Sequence, residues 1–247
     1  MRLSGKRALV TGGASGFGLG IAEKFVAEGA FVYIADINHD AAQQVALQFG
    51  ESAQALGVDV SNGDSVQAMA VEVLNQGELD ILVNNAGITH TKGDLENVDE
   101  DAFNRVFNVN CKSVYLTAKA FVPSMKKAGR GAILNVASTA GVSPRAQLNW
   151  YNCSKGWMIT ATKTMAVELA PSGIRVNAIN PVAGETPLLA SFMGEDTPEM
   201  REKFISTIPL GRFSTPQDMG NAASFLCSDE ASMVTGIAME VDGGRCI

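Results

Sequence analysis

The segment "WYNCSKG" at 150–156 places a tyrosine and a lysine four residues apart, Tyr151 and Lys155. On a helix that spacing brings both side chains to one face. A free tyrosine, with a pKa near 10, is a poor base at neutral pH. An ammonium about 4 Å away, at an effective dielectric near 20, favours the phenolate by roughly 4 kcal/mol, or about three pKa units. The pair therefore reads as a phenol tuned toward ~7 for taking and returning a proton, with Lys155 as the tuning cation. A plain surface contact is the competing reading, and the rest of the chain has to decide.

A second stretch suits phosphate. "LVTGGASGFGLG" passes from an apolar run through Thr11 and Gly12, then spaces Gly16 and Gly18 ahead of a helical pattern. Glycines there let the chain turn tightly and let a pyrophosphate approach bare backbone, and the helix start offers unpaired N–H groups. A merely structural turn has the same composition, but the position after the first strand of an α/β pattern favours the phosphate reading. Asp36 closes "VYIADIN" further on. A carboxylate there accepts from both hydroxyls of an adenine ribose and repels a 2′-phosphate. With Ile37 next to it and Ala14 and Ser15 in the loop, no basic residue stands by, so NAD is expected and NADP is disfavoured. Ser138 ends the run "AILNVAS", at the edge where such folds bind ligands.

These groups need a scaffold, and the alternation along the chain describes one. "RALVTGG", "FVYIADI", "LDILVNNAG", "GAILNVAS" and "IRVNAINP" are short apolar runs ending in Gly, Asn, Asp, Ser or Pro, while "QALGVDV" and "GIAMEVDGG" add two more strands. Helical patterns fall at about 16–29, 39–50, 62–76, 99–128 and 150–170. Strands apolar on both faces, separated by helices, predict right-handed βαβ units in a doubly wound, mostly parallel sheet of about seven strands with helices on both faces. No repeat or linker divides the chain, so 1–247 reads as one domain. One long excursion, 184–212, breaks the rhythm.

The 247 residues are 46% hydrophobic and 18% charged, enough apolar material for a large core. A net charge of −7 and a pI near 4.9 argue against nucleic acid or an anionic membrane as partner. No run approaches the ~18 apolar residues of a membrane span, and "MRLSGKRALVTGG" leads directly into a strand, so a cytoplasmic location is expected. Cys111, Cys153, Cys227 and Cys246 are scattered and read as free buried thiols, with Cys153 a core residue and not a nucleophile. Two distant histidines, His39 and His90, offer no zinc site.

Taken in order, these motifs resemble the short-chain dehydrogenase/reductase family, in its branch of subunits about this size, over essentially the whole chain. Thr11-Gly12-x-x-x-Gly16-x-Gly18 matches the coenzyme loop, Asp59-Val60 the adenine-edge pair and Asn84-Asn85-Ala86-Gly87 the motif ending the fourth strand. Asn110, Ser138, Tyr151 and Lys155 match the catalytic tetrad. The resemblance implies a Rossmann-type fold and an oxidoreductase interconverting a secondary alcohol and a ketone by hydride transfer, with Tyr151 as general acid/base. It further implies that Ser138 orients the substrate oxygen, that Lys155 also holds the nicotinamide ribose, and that Asn110 anchors a water beside the lysine. Coenzyme contacts are implied for Gly12, Ser15, Gly16, Phe17 and Gly18, for Asp36 and Ile37, for Asp59 and Val60, and for Asn85 and Gly87. Tyr151, Lys155, Pro181, Gly184 and Thr186 complete that set, Thr186 at the nicotinamide carboxamide. A homotetramer packed through the helices near 100–128 and 150–170 is implied as well.

One departure from the family pattern stands out. Pro181 is followed by Val182 where the family has glycine, which puts the local backbone path in question. The excursion reads as a substrate lid. Leu188, Leu189, Phe192 and Met193 are expected to form an apolar wall, and Phe204 and Ile205 to pack. Acids (Glu195, Asp196, Glu199, Glu202) outnumber Arg201 and Lys203, which suits a neutral alcohol or ketone of alcohol, diol, sugar or hydroxysteroid type. His90 and Trp150 are candidate pocket residues, against an exposed loop histidine and a packing tryptophan. Two alternatives remain. Reduction of 3-oxoacyl groups on acyl carrier protein needs a basic docking surface, to which Arg130 could contribute, and usually NADPH. A catalytically silent NAD-binding protein would be expected to have lost Tyr151 or Lys155.

Overall fold

The computed structural model describes residues 1–193 and 197–247, and of these every side chain but those of Ala190 and Met193. Among the described residues the strands are β1 (Arg7–Thr11), β2 (Phe31–Asp36), β3 (Ala53–Gly57), β4 (Ile81–Asn84), β5 (Gly131–Val136), β6 (Ile174–Pro181) and β7 (Ala238–Val241). All seven pair in parallel in the order β3-β2-β1-β4-β5-β6-β7. The order reverses between β1 and β4, which opens a crevice at their carboxyl ends.

Period-2 geometry sends neighbouring residues of each strand into different layers. Ala8, Val10, Val32 and Ile34 pack with α1 (Gly16–Ala27), α2 (His39–Phe49) and α9 (Pro216–Cys227) through Ile21, Phe25, Val45 and Met219. Leu9, Tyr33, Leu82 and Ile133 pack with α3 (Gly63–Asn75), α5 (Ser113–Ala128) and α6 (Asn149–Leu169) through Met69, Phe121, Met125 and Leu169. Both faces are dry, as the unbroken apolar runs require.

The expected helix at 99–128 runs without a gap from Glu100 to Ala128, but not as a regular α-helix: a π turn at Asn108–Lys112 separates α4 (Glu100–Phe107) from α5. A π turn holds one residue more than an α turn and often marks a functional position; Asn110 sits inside this one.

The excursion folds on a small core of its own. With α7 (Leu189–Met193) and α8 (Pro198–Ile205), it buries Val182, Leu189, Ile208 and Phe213 against Met200, Phe204 and Ile205. Val182 therefore resolves the departure noted above. It is an apolar anchor at the root of the excursion, 3% exposed, and its N–H donates to the Val241 carbonyl at 3.4 Å. Among the described residues Gln147 alone of the non-glycines has positive φ, so Val182 carries no strain of that kind. Glu195, Asp196 and the Met193 side chain, named for the lid, lie outside the described residues.

Candidate active site

The glycine loop is tied to the end of β4. Thr11 Oγ1 donates to the Val83 carbonyl at 3.2 Å and accepts from the N–H groups of Asn85 and Ala86 at 3.0 and 3.1 Å. Asn85 Nδ2 donates to the carbonyls of Thr11 and Gly12 at 2.9 and 3.0 Å. Gly12 and Gly16 have φ of 62° and 54°, a region that side chains avoid. Ser15 caps α1 with no side-chain hydrogen bond, and the first turn holds no acid, so the helix start remains available to an anion. The Asp36 carboxylate accepts from the N–H groups of Ala14 and Asn38 at 3.2 and 3.0 Å, which fixes it beside the loop with lone pairs to spare. Asp59 is likewise oriented, accepting from the N–H and hydroxyl of Ser61 at 2.9 and 2.7 Å.

Loop, Asp36 and Asp59 line one cavity of about 350 Å³ together with Ser138, Tyr151 and Lys155. Glycine cradle, bare helix start and terminal carboxylate fit an adenine dinucleotide. The excursion lines the same cavity through Gly184, Thr186, Leu188 and Phe192, opposite Phe17 of α1. A Cβ on Gly184 would lie 2.3 Å from the Phe17 ring, and one on Gly16 would lie 3.3 Å from Thr186, so the excursion and the glycine loop touch at glycines.

Ser138 follows β5 directly and opens a 3₁₀ turn, Thr139–Gly141, its Oγ accepting from the Ala140 N–H at 3.0 Å. That turn lies backbone to backbone on α6, where a Cβ on Gly141 would sit 2.8 Å from Gly156 N. The serine is thereby set against the helix that carries Tyr151 and Lys155, and it hydrogen-bonds the phenol. Lys155 Nζ donates to the Val136 carbonyl at 2.8 Å and lies 5.9 Å from the Tyr151 ring centroid. Asn110 Oδ1 accepts from the Ile88 N–H, and its Nδ2 donates to the Ile88 carbonyl and Ser154 Oγ, each at 2.9 Å. Gly87 stands between the two polar groups: a Cβ there would be 3.3 Å from Lys155 Nζ and 3.4 Å from Asn110 Oδ1. Behind them Thr117, Asn84, Asn135 and Thr162 form a buried hydrogen-bonded chain joining α5, β4, β5 and α6.

Electrostatically the site departs from the simple reading of the pair. Burial raises Tyr151 to about 12, only partly opposed by the hydrogen bond from Ser138. Burial also lowers Lys155 to about 8. The expectation that the lysine alone draws the phenol toward 7 is corrected, because its ammonium is directed at Val136 and desolvation dominates.

The structure brings Asn85, Gly87, Ser138, Tyr151, Lys155, Pro181, Gly184, Thr186, Leu188 and Phe192 to the cavity with the loop residues, Ile37 and Val60. Asn110 stands just behind. His90 and Trp150 do not line it. His90 is not an exposed loop residue but 5% exposed, its Nδ1 2.9 Å from the Thr91 carbonyl. Trp150 packs edge-on against Phe103 at 5.3 Å. Cys153, expected in the core, is exposed; Cys111 and Cys227 are buried, Cys246 is half-buried, and all four are free. Several lining residues were not anticipated as such, among them Ile88, Val109, Leu148, Phe204 and Arg145. Phe204 packs on Phe213 as expected but also faces the cavity, and Arg145 gave no sign in a short irregular stretch.

Fold and site together define a dinucleotide-binding protein of the doubly wound class. A family model described as Enoyl-(Acyl carrier protein) reductase matches residues 12–245. The chain is 48% identical to the 4-formylbenzenesulfonate dehydrogenase of Comamonas testosteroni, with all of both chains covered. It is 37% identical to the 2,5-dichloro-2,5-cyclohexadiene-1,4-diol dehydrogenase of Sphingobium indicum, covering 98% of this chain and 97% of that one. A solved structure of a 3-ketoacyl-(acyl-carrier-protein) reductase from Brucella melitensis, complexed with NADH, superposes with a TM-score of 0.95 at 48% identity, covering 99% of this chain and all of the other. The protein belongs to the short-chain dehydrogenase/reductase family of oxidoreductases, and with membership comes a nicotinamide coenzyme. Among the described residues no helix is long and apolar enough to cross a membrane.

Proposed function

We propose that the protein is an NAD-dependent dehydrogenase interconverting a secondary alcohol and a ketone, with 1–247 acting as one coenzyme-binding domain and 184–212 as its substrate lid. The observation that carries this reading is the meeting of Ser138, Tyr151 and Lys155 in the cavity that the glycine loop and Asp36 also line. When bound, the oxidised coenzyme supplies a hydride acceptor and a positive charge. Ser138 holds the substrate oxygen against Tyr151, and Tyr151 exchanges the proton at that oxygen. Lys155, charged on most molecules at neutral pH, offsets the phenolate that forms. Asn110 holds the turn at Ile88 and the hydroxyl of Ser154, and so positions the lysine's surroundings. Exposed Tyr115, Trp157 and Val167 on α5 and α6 support a homotetramer packed through those helices.

A spectrophotometric screen at 340 nm with NAD⁺ and a panel of secondary alcohols tests the reading; no turnover with any of them, despite NAD binding, favours a silent binder. Asp36→Ser should reduce the preference for NAD over NADP by about tenfold or more, since a charge-assisted contact and a repulsion disappear together. An unchanged ratio of kcat/KM values would show that Asp36 does not read the ribose.

The acyl-carrier-protein reductase named by the Brucella structure is the second reading. Against it, Arg130 is already committed, pairing with Glu78 at 2.9 Å and Asp80 at 3.1 Å, which hold its pKa above the usual arginine value. Turnover of a 3-oxoacyl thioester in preference to the alcohol panel would reverse the ranking.

A further inference from the structure

Among the described residues the cavity carries two cations without a carboxylate partner: Lys155, which donates to the Val136 carbonyl, and Arg145. Arg145 lines it beside Leu148, Phe192 and Phe204. Its guanidinium carbon lies 3.9 Å from the centroid of the Phe204 ring, and among the described residues the side chain forms neither an ion pair nor a hydrogen bond. The two carboxylates lining the same cavity, Asp36 and Asp59, are held by Ala14 and Ser61 at the glycine-loop end. An adjoining recess shares Arg145, Leu148, Phe192 and Phe204 and adds Lys92 and Lys203, so every charged group among the described residues lining this recess is a cation. Glu199 and Glu202, counted above toward an acidic lid, line neither space.

The arginine is also held in place. Its carbonyl accepts from Asn152 Nδ2 at 2.7 Å, which attaches it to the residue after Tyr151. Two residues on, Gln147 adopts φ of 66°, a costly conformation for a residue with a side chain. Crosslinks impose it: Gly93 N–H donates to the Gln147 carbonyl, and Gln147 Nε2 donates to Asp94, both at 3.1 Å. Burial, reinforced by Arg245, lowers Arg145 to about 10, which leaves it charged at neutral pH. A half-buried charge without a partner is costly, and an incoming anion removes that cost.

We propose that Arg145 binds an anionic head group, a carboxylate or sulfonate, at the end of the substrate remote from the reacting carbon. This rests on the dehydrogenase reading and specifies its substrate class. Stacking on Phe204 fixes the guanidinium plane and leaves its N–H edge for the two oxygens of such a group. Between that edge and the phenol lies an apolar wall: Leu188, Phe204, and Phe192, whose ring is 5.2 Å from that of Tyr151. The fitting molecule has an apolar body, flat or narrow, with the alcohol or carbonyl at one end and the anion at the other. It replaces the neutral substrate expected from the count of lid acids.

The test uses 4-acetylbenzoate and its uncharged counterpart 4′-methylacetophenone, titrated calorimetrically into the NADH-loaded protein, with NADH consumption at 340 nm recorded in parallel. The charged probe should bind at least about tenfold more tightly. Arg145→Gln should erase that ratio, and Arg145→Lys should restore only part of it, because lysine lacks the fork. Equal affinities in the wild type, failure of the charged probe to bind, or a ratio that survives in Arg145→Gln overturns the proposal; should the glutamine variant not fold, the wild-type ratio and the lysine variant still decide. Tight binding of the charged probe without turnover would count against the dehydrogenase reading and leave the anion site standing. Turnover of both probes at equal affinity would do the reverse.

Discussion

Tyr151→Phe should lower kcat by roughly 10²–10⁴-fold while leaving coenzyme affinity within a few fold, since a positioned acid/base contributes about that much. The phenylalanine ring keeps the contact with Phe192 at 5.2 Å, so only the hydroxyl and its bond to Ser138 are lost. Because burial holds the phenol at about 12 in the coenzyme-free protein, its base form is scarce at neutral pH. Alcohol oxidation at saturating NAD⁺ should therefore speed up as pH rises from 7. Ketone reduction, which needs the protonated form, should not. Lys155, lowered to about 8, loses its charge over the same range, so the rise should flatten above that value. Steady-state rates in both directions check this. A flat oxidative profile, or substantial rate in the phenylalanine variant, would mean that another group moves the proton.

The second large effect is expected at Gly18→Ala. A Cβ there would lie 2.1 Å from the Gly12 carbonyl oxygen and 2.4 Å from Asn85 Nδ2. Neither neighbour can retreat easily. The carbonyl belongs to the loop, and the amide makes two hydrogen bonds that pin the loop to β4. Overpacking of this kind costs about 1–3 kcal/mol, and here the strain falls on the surface meant for pyrophosphate. Coenzyme affinity measured by NADH fluorescence should fall by about 5- to 150-fold, with a lower melting temperature. Unimpaired binding would show that the pyrophosphate does not rest on this turn.

The strands were legible because each is an apolar run with a polar stop, and the stops, Thr11, Asp36, Asn84 and Ser138, are also where the chemistry gathers. Tyr151 and Lys155 were legible because four-residue spacing on a helix brings both side chains to one face, and the other motifs chose between the two readings of that pair. What escaped depended on distant contacts. The burial of His90 and the exposure of Cys153 are set by neighbours that no local pattern announces. Val182 departs from the family glycine because the excursion builds its own core around it. Arg145 has no periodicity about it; its position follows from Asn152 and from the enforced turn at Gln147. The order of the lysine's interactions was likewise hidden, since a spacing shows proximity to the phenol but not the pull of the Val136 carbonyl.

The π turn between α4 and α5 has a consequence for how this chain can vary. A regular helix tolerates a change of residue far better than a change of residue number, because each position adds about 100° of rotation. Asn110 reaches Ile88 and Ser154 from a stretch that is one residue too long for its helix. Its aim is therefore set by chain count more than by side-chain identity. Shortening 108–112 by a single residue would let the helix close up regularly and swing that amide away from its partners, even with every catalytic side chain retained. Homologous segments should accordingly differ here in composition before they differ in length.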